Sequence, residues 1–153
     1  MGERARILVI DDDESIRSVL ASILEEEYVV DTAQNGADAI KKTKAILYNL
    51  ALIDIRLPDM EGTELLTRMK ETTPKMRKII MTGYPSLGNA ISAVNKGADA
   101  YLMKPFDIEK VLKVIKEQLV KWQQEKRYSQ DRVTDFIEAR VMEIEAQRGF
   151  SRS

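Results

Sequence analysis

The feature that most constrains the fold is a short, continuous apolar run that ends at an acid. Residues 50–53 read Leu-Ala-Leu-Ile, and Asp54 follows at once. A run without polar alternation is typical of a strand that is buried on both faces of a sheet. Pro58, Asp59 and Gly62 come next, and residues of these types mark a loop. Asp54 is therefore predicted to lie where a buried strand ends and a loop begins.

The rest of the chain alternates between apolar runs of strand length and amphipathic segments of helix length. Strands are predicted at 7–10, 28–33, 50–53, 78–82 and 98–103, and helices at 16–24, 37–47, 63–72, 87–96 and 108–119. This alternation predicts an α/β fold, a five-stranded parallel sheet of (βα)5 type with helices on both faces. The flavodoxin-like strand order 2-1-3-4-5 is one topology that fits it.

Several polar residues follow the predicted strands directly. They are Asp11, Asp12, Asp54, Thr82 and Lys104. Right-handed crossovers bring the C-terminal ends of parallel strands to one edge of the sheet, which is where ligands bind in open α/β folds. Taken alone, Asp54 could be a metal ligand, a nucleophile or the cap of the next helix.

Carboxylates that converge on one edge raise each other's pKa, and a hard divalent cation relieves that repulsion. Mg²⁺ favours one or two carboxylates together with waters and phosphate oxygens. We therefore predict a Mg²⁺ site in which Asp12 and Asp54 bind directly and Asp11 binds through water. A loop carbonyl such as that of Arg56 would complete the coordination shell.

The same edge offers groups suited to phosphoryl transfer. The Thr82 hydroxyl and the Lys104 ammonium, together with the metal, would neutralise the equatorial oxygens of a phosphoryl group. A carboxylate held against such a clamp is a natural nucleophile, so Asp54 is predicted to form an aspartyl phosphate.

Together these motifs resemble the receiver domains of two-component response regulators, the CheY-like family. The matching segments are 10–14, 54 with 57–62, 81–83 and 104–106, in this order along the chain. The resemblance covers residues 4–121. It implies a phosphorylation-switched receiver that accepts a phosphoryl group from a histidine kinase or a phosphotransfer protein. Such a chain catalyses only its own phosphorylation and dephosphorylation.

The resemblance also implies a role for each site residue: Asp54 as phosphoacceptor, Asp11 and Asp12 as the acidic metal pair, Thr82 as switch hydroxyl, Lys104 as conserved lysine and Tyr101 as switch aromatic. It further implies a cis Lys104-Pro105 bond, and places Arg56 and Tyr84 over the phosphoryl site. We expect phosphorylation to draw the Thr82 hydroxyl toward the phosphoryl group on Asp54, to let the Tyr101 ring rotate inward behind it, and so to change the face formed by helix 4, strand 5 and helix 5.

An enzyme is the alternative interpretation. A Mg²⁺-dependent phosphatase or phosphotransferase could turn over small substrates through an aspartyl phosphate on Asp54. Such an enzyme would need a general acid close to the nucleophile and a domain that caps the substrate. Residue 56 is Arg, so the Asp-x-Asp spacing is absent, and the chain has no insertion that could form a cap.

Composition excludes other classes of function. The chain has 153 residues, a net charge of −1, and neither cysteine nor histidine. It therefore contains no disulfide, Ser-His-Asp triad, histidine zinc site or histidine phosphodonor. Its balanced charge gives no reason to expect direct nucleic-acid binding. The apolar run 7–10 is too short for a signal peptide or a membrane span, so we expect a cytoplasmic protein without membrane insertion.

Residues 122–153 form a separate predicted segment, a helical tail or linker. Its apolar residues recur at helical spacing: Val133, Phe136, Ile137, Val141 and Ile144. They could pair as a short coiled coil, so a homodimer through this tail or through the helix 4–strand 5–helix 5 face is one expectation. A solvated helix and a connector to a further domain are equally compatible with the pattern.

Overall fold

The computed structural model describes residues 3–151, with side chains up to residue 148. The strands are β1 Arg6–Ile10, β2 Val29–Ala33, β3 Leu50–Asp54, β4 Arg77–Thr82 and β5 Ala100–Met103. They form one parallel sheet in the order β2-β1-β3-β4-β5. The predicted α/β fold and strand order are confirmed.

Helices alternate with the strands. They are α1 Glu14–Leu24, α2 Gly36–Ala45, α3 Gly62–Arg68, α4 Leu87–Asn95 and α5 Ile108–Ser151. The predicted C-terminal helical extension is confirmed, because α5 is one helix of 44 residues that passes through residue 121 without a break. The domain boundary at 121 stays a prediction, and residues 152–153 of the predicted tail lie outside the described residues. Within residues 3–151, no helix combines the length and apolar character needed to cross a bilayer.

Short polar side chains cap the N-termini of α1, α2 and α5. Asp13 accepts a hydrogen bond from the Ser15 N–H and so caps α1, and Asp107 does the same for α5 through the Glu109 N–H. The Asn35 side chain accepts from the Asp38 N–H and so caps α2.

Two predicted helices are shorter in the structure. The helix α2 ends at Ala45 instead of residue 47, and α3 ends at Arg68 instead of residue 72. The Lys78 ammonium donates to the Leu66 carbonyl in the last turn of α3, which satisfies a carbonyl that has no partner within the helix. Lys78 is buried, and this burial lowers the pKa of its ammonium.

The sheet divides the core into two apolar layers. Alternate strand residues such as Leu8, Ile53 and Ile80 face α2, α3 and α4, while the residues beside them face α1 and α5. Both layers contain strand side chains that are fully buried, as the continuous apolar runs predict. Burial of the sheet on both faces leaves its C-terminal edge as the place where polar residues collect.

Candidate acidic site at the C-terminal edge of the sheet

Neighbouring strands bring the predicted site residues together at one edge. Asp54 and Thr82 are the last residues of β3 and β4, and Asp11 follows β1 directly. Lys104 follows β5, and its N–H donates to the Thr82 carbonyl at 2.7 Å. The bond between Lys104 and Pro105 is cis, as the resemblance implied.

Carboxylates dominate this edge. Carboxylate oxygens of Asp11, Asp12 and Asp54 all lie within 4.8 Å of one another. Asp11 is fully buried and Asp54 nearly so, whereas Asp12 is exposed. Lys104 Nζ lies 2.7 Å from Asp11 Oδ2 and 3.5 Å from Asp54 Oδ2. The single positive charge of Lys104 is therefore smaller than the combined negative charge of the carboxylates around it.

This environment changes the protonation of Asp54. Burial, and then the charge of Asp11, raise the pKa of Asp54 to about 6. Lys104 and the Arg56 N–H, which donates to Asp54 Oδ1 at 3.3 Å, pull the same pKa downward without offsetting the rise. Asp54 therefore binds a proton more tightly than a solvated aspartate does, and a cation at the edge would displace that proton.

The donor set fits Mg²⁺. Hard carboxylate oxygens lie close together at Asp11, Asp12 and Asp54, and one side of the cluster is open to solvent through Asp12. Mg²⁺ is usually bound through a few carboxylates while it keeps several waters, which this half-open arrangement permits.

Comparison with known proteins places this site in a family. The family model "Response regulator receiver domain" matches residues 7–116. The chain belongs to the response regulator receiver family. This confirms the resemblance drawn from the motifs, and the chain is therefore a receiver of two-component signalling.

Two similar regulators of known sequence are longer than this chain. The transcriptional regulatory protein ZraR of Klebsiella oxytoca is 39% identical over 119 residues, which are 77% of this chain and 27% of ZraR. The DNA-binding transcriptional regulator NtrC of Escherichia coli is 35% identical over 126 residues, which are 82% of this chain and 27% of NtrC. The chain thus spans about a quarter of the length of these regulators.

Two solved receivers match the chain over nearly their whole length. A CheY-like receiver from Methanospirillum hungatei has a TM-score of 0.76 and 45% identity, over 80% of this chain and 99% of that one. A solution structure described as the beryllofluoride-activated NtrC4 receiver domain dimer has a TM-score of 0.72 and 40% identity, over 76% of this chain and 98% of that one.

Two exposed side chains of the receiver meet near the acidic edge. The guanidinium of Arg56 lies 5.6 Å from the centroid of the Tyr84 ring, a cation–π arrangement. Arg56 is two residues beyond Asp54, and Tyr84 is two residues beyond Thr82. The Tyr84 N–H also donates to Thr82 Oγ1 at 3.1 Å, so Tyr84 connects Arg56 to the buried hydroxyl.

Tyr101 already points into the interior. Its ring packs against the core layer that contains Ile80 and Ala93, and its hydroxyl is buried without a hydrogen-bond partner in the described part of the chain. Our expectation was that the ring turns inward after phosphorylation. In the structure the ring is already inward. If phosphorylation acts through Tyr101, it must therefore shift an equilibrium between ring positions in which the inward one is already populated.

Sequence reasoning missed the part played by Asp59. The sequence marked Asp59 only as a loop residue, and the loop contains a turn in which the Leu57 N–H donates to the Met60 carbonyl at 3.1 Å. Its carboxylate also accepts from the Gly36 N–H at 2.8 Å and from the Ala37 N–H at 2.9 Å. These partners lie more than 20 residues earlier in the chain, so no local pattern could have indicated the contact.

Proposed function

We propose that this receiver accepts a phosphoryl group on Asp54 from a partner histidine kinase or phosphotransfer protein. The observation that carries the proposal is the convergence of Asp11, Asp12 and Asp54 within 4.8 Å, with Lys104 Nζ paired to two of them. A buried nucleophile, an adjacent cation and a half-open acidic cluster are the parts that phosphoryl transfer to a carboxylate requires.

In the proposed reaction an Asp54 carboxylate oxygen attacks the phosphorus of a phosphohistidine on the partner protein. The new oxygen–phosphorus bond forms as the nitrogen–phosphorus bond breaks, and the released imidazole nitrogen takes up a proton. Asp12, Asp54 and the Arg56 carbonyl would hold Mg²⁺, with Asp11 acting through water. When bound, the cation neutralises charge on the transferring group.

Lys104 and Thr82 would complete the clamp. The Lys104 ammonium is already within ion-pair distance of Asp54 Oδ2, so it is placed to bind an oxygen of a phosphoryl group on that carboxylate. The Thr82 hydroxyl is buried one strand away, and a charge-assisted hydrogen bond to the phosphoryl group would draw it toward Asp54. Such a clamp makes self-phosphorylation and slow self-dephosphorylation the only catalysis expected of the chain.

The alternative of a small-substrate phosphatase has less support. Arg56 stands where an Asp-x-Asp enzyme carries its second acid. The connections between the elements of residues 3–151 are short, so none of them could form a cap over the acidic edge. Relatives such as ZraR and NtrC are named as transcriptional regulators, which also favours a signalling role.

We infer that the signal leaves through the face formed by α4, β5 and α5. Large apolar side chains on this face are exposed, namely Leu87, Ile91 and Val94 on α4 and Met103 on β5. Exposed apolar residues at helical spacing mark a surface that gains free energy when a partner covers it. A second copy of the receiver is the partner we favour, because the similar NtrC4 receiver is described as a dimer when activated.

Tyr101 would couple the site to this face. An unpartnered buried hydroxyl costs about 1–3 kcal/mol. This cost opposes the free energy that the Tyr101 ring gains by packing in its inward position. Two ring positions that close in energy can be shifted by a ligand of modest differential affinity. Movement of Thr82 would change the space available behind it and hence the balance between the two positions.

We propose that residues 4–121 form the receiver and residues 122–153 a helical linker. From residue 131 to 148 every side chain is exposed, including Val133, Phe136 and Ile137. This exposure suits a helix that pairs with a second copy or leads into a further domain. For the residues of this chain the absence of direct nucleic-acid binding stays a prediction, since the longer relative NtrC is named as DNA-binding.

Intact-mass measurement after incubation with a small phosphodonor and Mg²⁺ tests the acceptor. We expect one phosphoryl adduct on the parent and none on Asp54→Asn, and full labelling of the variant would contradict the assignment.

Sedimentation with and without beryllofluoride tests whether the signal leaves through the α4–β5–α5 face. The parent should change in mass or shape, whereas Thr82→Ala should bind the mimic without that change.

A further inference from the structure

We propose that Asp59 is a positioning residue for the metal site. By binding the first turn of α2, its carboxylate fixes the loop between β3 and α3, which carries the carbonyl of Arg56. The inference rests on the proposed function, in which that carbonyl is a Mg²⁺ ligand. Asp59 itself would not touch the metal.

The contact between Asp59 and α2 has the form of a helix cap supplied by another part of the chain. Asp59 Oδ1 accepts from the Gly36 N–H at 2.8 Å, and Oδ2 accepts from the Ala37 N–H at 2.9 Å. These are backbone donors at the start of a helix, where no intrahelical carbonyl is available. They stabilise a negative charge, and the two bonds lower the pKa of Asp59 below its ordinary value.

The remainder of the loop is fixed at its base. Arg56 and Glu61 form an antiparallel bridge, and the Gly62 N–H donates to the Ile55 carbonyl at 2.7 Å. Gly62 lies so close to β3 that an added Cβ would be 2.3 Å from the Asp54 carbonyl oxygen. The base is held by close backbone packing, whereas the peptide group that carries the Arg56 carbonyl is also held from the tip, because its Leu57 N–H donates to the carbonyl of Met60, the neighbour of Asp59.

The tip is held against α2 by Asp59 and by apolar packing of Met60. A Cβ added to Gly36 would lie 2.5 Å from Met60 Sδ, so the Met60 side chain packs directly on the start of α2. Without the Asp59 carboxylate, the tip would lose its two hydrogen bonds to α2 and would rely on flexible apolar side chains such as Met60. A looser loop must be ordered when the metal binds, and this ordering weakens affinity because it costs conformational entropy.

The experiment compares Mg²⁺ affinity by titration calorimetry in the parent, Asp59→Ala and Asn35→Ala. Asn35 caps the same helix through the Asp38 N–H but is not part of the loop, so its variant is the matched control. Loss of a residue that orients a metal ligand weakens affinity by about 10- to 100-fold, and the lower end is expected for Asp59→Ala. Asn35→Ala should keep the parent's Mg²⁺ dissociation constant although it also loses a cap.

Hydrogen exchange gives a second readout that does not depend on the metal. In the metal-free Asp59→Ala variant, amides of residues 55–61 should exchange faster than in Asn35→Ala. Asp59→Asn keeps one acceptor oxygen and should fall between parent and Asp59→Ala in affinity. Equal Mg²⁺ affinity in the parent and Asp59→Ala would overturn this inference alone, and so would equal weakening in Asn35→Ala. Absence of Mg²⁺ binding by the parent would overturn the proposed function as well.

Discussion

Replacing Asp54 by Asn should stabilise the metal-free receiver at neutral pH. Asp54 is buried beside Asp11, and its pKa is raised to about 6 from an ordinary value of 3.8. Above pH 6 the folded protein must therefore hold a carboxylate that would be better solvated in the unfolded chain. Asparagine is nearly isosteric with aspartate and carries no charge, so it removes this penalty.

The size of the effect follows from the shift in pKa. Each pKa unit corresponds to 1.36 kcal/mol, so a rise from 3.8 to about 6 amounts to about 3 kcal/mol at pH 7.5. The pKa of Asp54 is higher in the folded protein than in the unfolded chain. The parent therefore has its full free energy of unfolding below about pH 4, and it loses about 3 kcal/mol of it as the pH rises through 6. For a chain of this length a gain of 2–3 kcal/mol raises the melting temperature by roughly 4–12 °C.

Urea denaturation followed by circular dichroism, with a chelator present, measures the difference. We expect Asp54→Asn to gain about 2–3 kcal/mol at pH 7.5 and only about 0.5 kcal/mol at pH 4. Asp13→Asn is the control, because it removes the same charge from an exposed capping position beside the site and should stay within about 0.5 kcal/mol of the parent. A gain at pH 7.5 that persists unchanged at pH 4, or no gain at all, would refute the electrostatic explanation.

Other changes test separate parts of the site and the fold. Lys104→Met removes the ammonium beside Asp54, so it should strongly slow phosphorylation by a small phosphodonor at saturating Mg²⁺ and raise the pKa of Asp54 further. An unchanged rate would exclude Lys104 from the reaction. Tyr84→Ala should shorten the lifetime of the phosphoryl adduct about two- to fivefold, since a cation–π pair with Arg56 at an exposed site is worth about 0.5–1 kcal/mol. Decay of the adduct mass measures it, and an equal or longer lifetime would show that the Arg56–Tyr84 pair does not shield the phosphoryl group from water. Arg77→Ala should lower the free energy of unfolding by about 1–3 kcal/mol, because the guanidinium binds buried Gln118 on α5, and urea denaturation measures the loss.

The sequence predicted the fold because its signals repeat along the whole chain. Uninterrupted apolar runs indicated buried strands, and amphipathic segments between them indicated the crossover helices. Once the strands are parallel, geometry alone brings Asp11, Asp54, Thr82 and Lys104 to the same edge. These site residues were therefore predictable without any distance measurement.

Contacts between distant segments were not predictable in this way. Lys78 lies in an apolar strand run, and its burial depends on the Leu66 carbonyl, whose availability is set by where α3 ends. Asp59 acts on Gly36 and Ala37, and nothing near Asp59 in the sequence points to them. Such pairings arise from the packing of loops and helix ends, which follow no period along the chain.

The position of Tyr101 shows a different limit. Its spacing from Lys104 identified it as a switch aromatic, but spacing carries no information about the side-chain rotamer. The hydroxyl is buried without a partner among the described residues, so the interior position depends on how well the ring packs. The free-energy difference between the two ring positions depends on ring packing and on the missing hydrogen bond, and it amounts to a few kcal/mol. A pattern of residue types does not predict so small a difference.

The central claim, that Asp54 carries the phosphoryl group, is tested most directly by reductive trapping. Borohydride reduces an aspartyl phosphate to homoserine, and trypsin then releases the peptide 45–56, in which Asp54 is the single acidic residue. After treatment with a small phosphodonor and Mg²⁺, we predict homoserine at position 54 of the parent and none in Asp54→Asn. Homoserine at another aspartate of the phosphorylated parent, with residues 45–56 unmodified, would contradict the account.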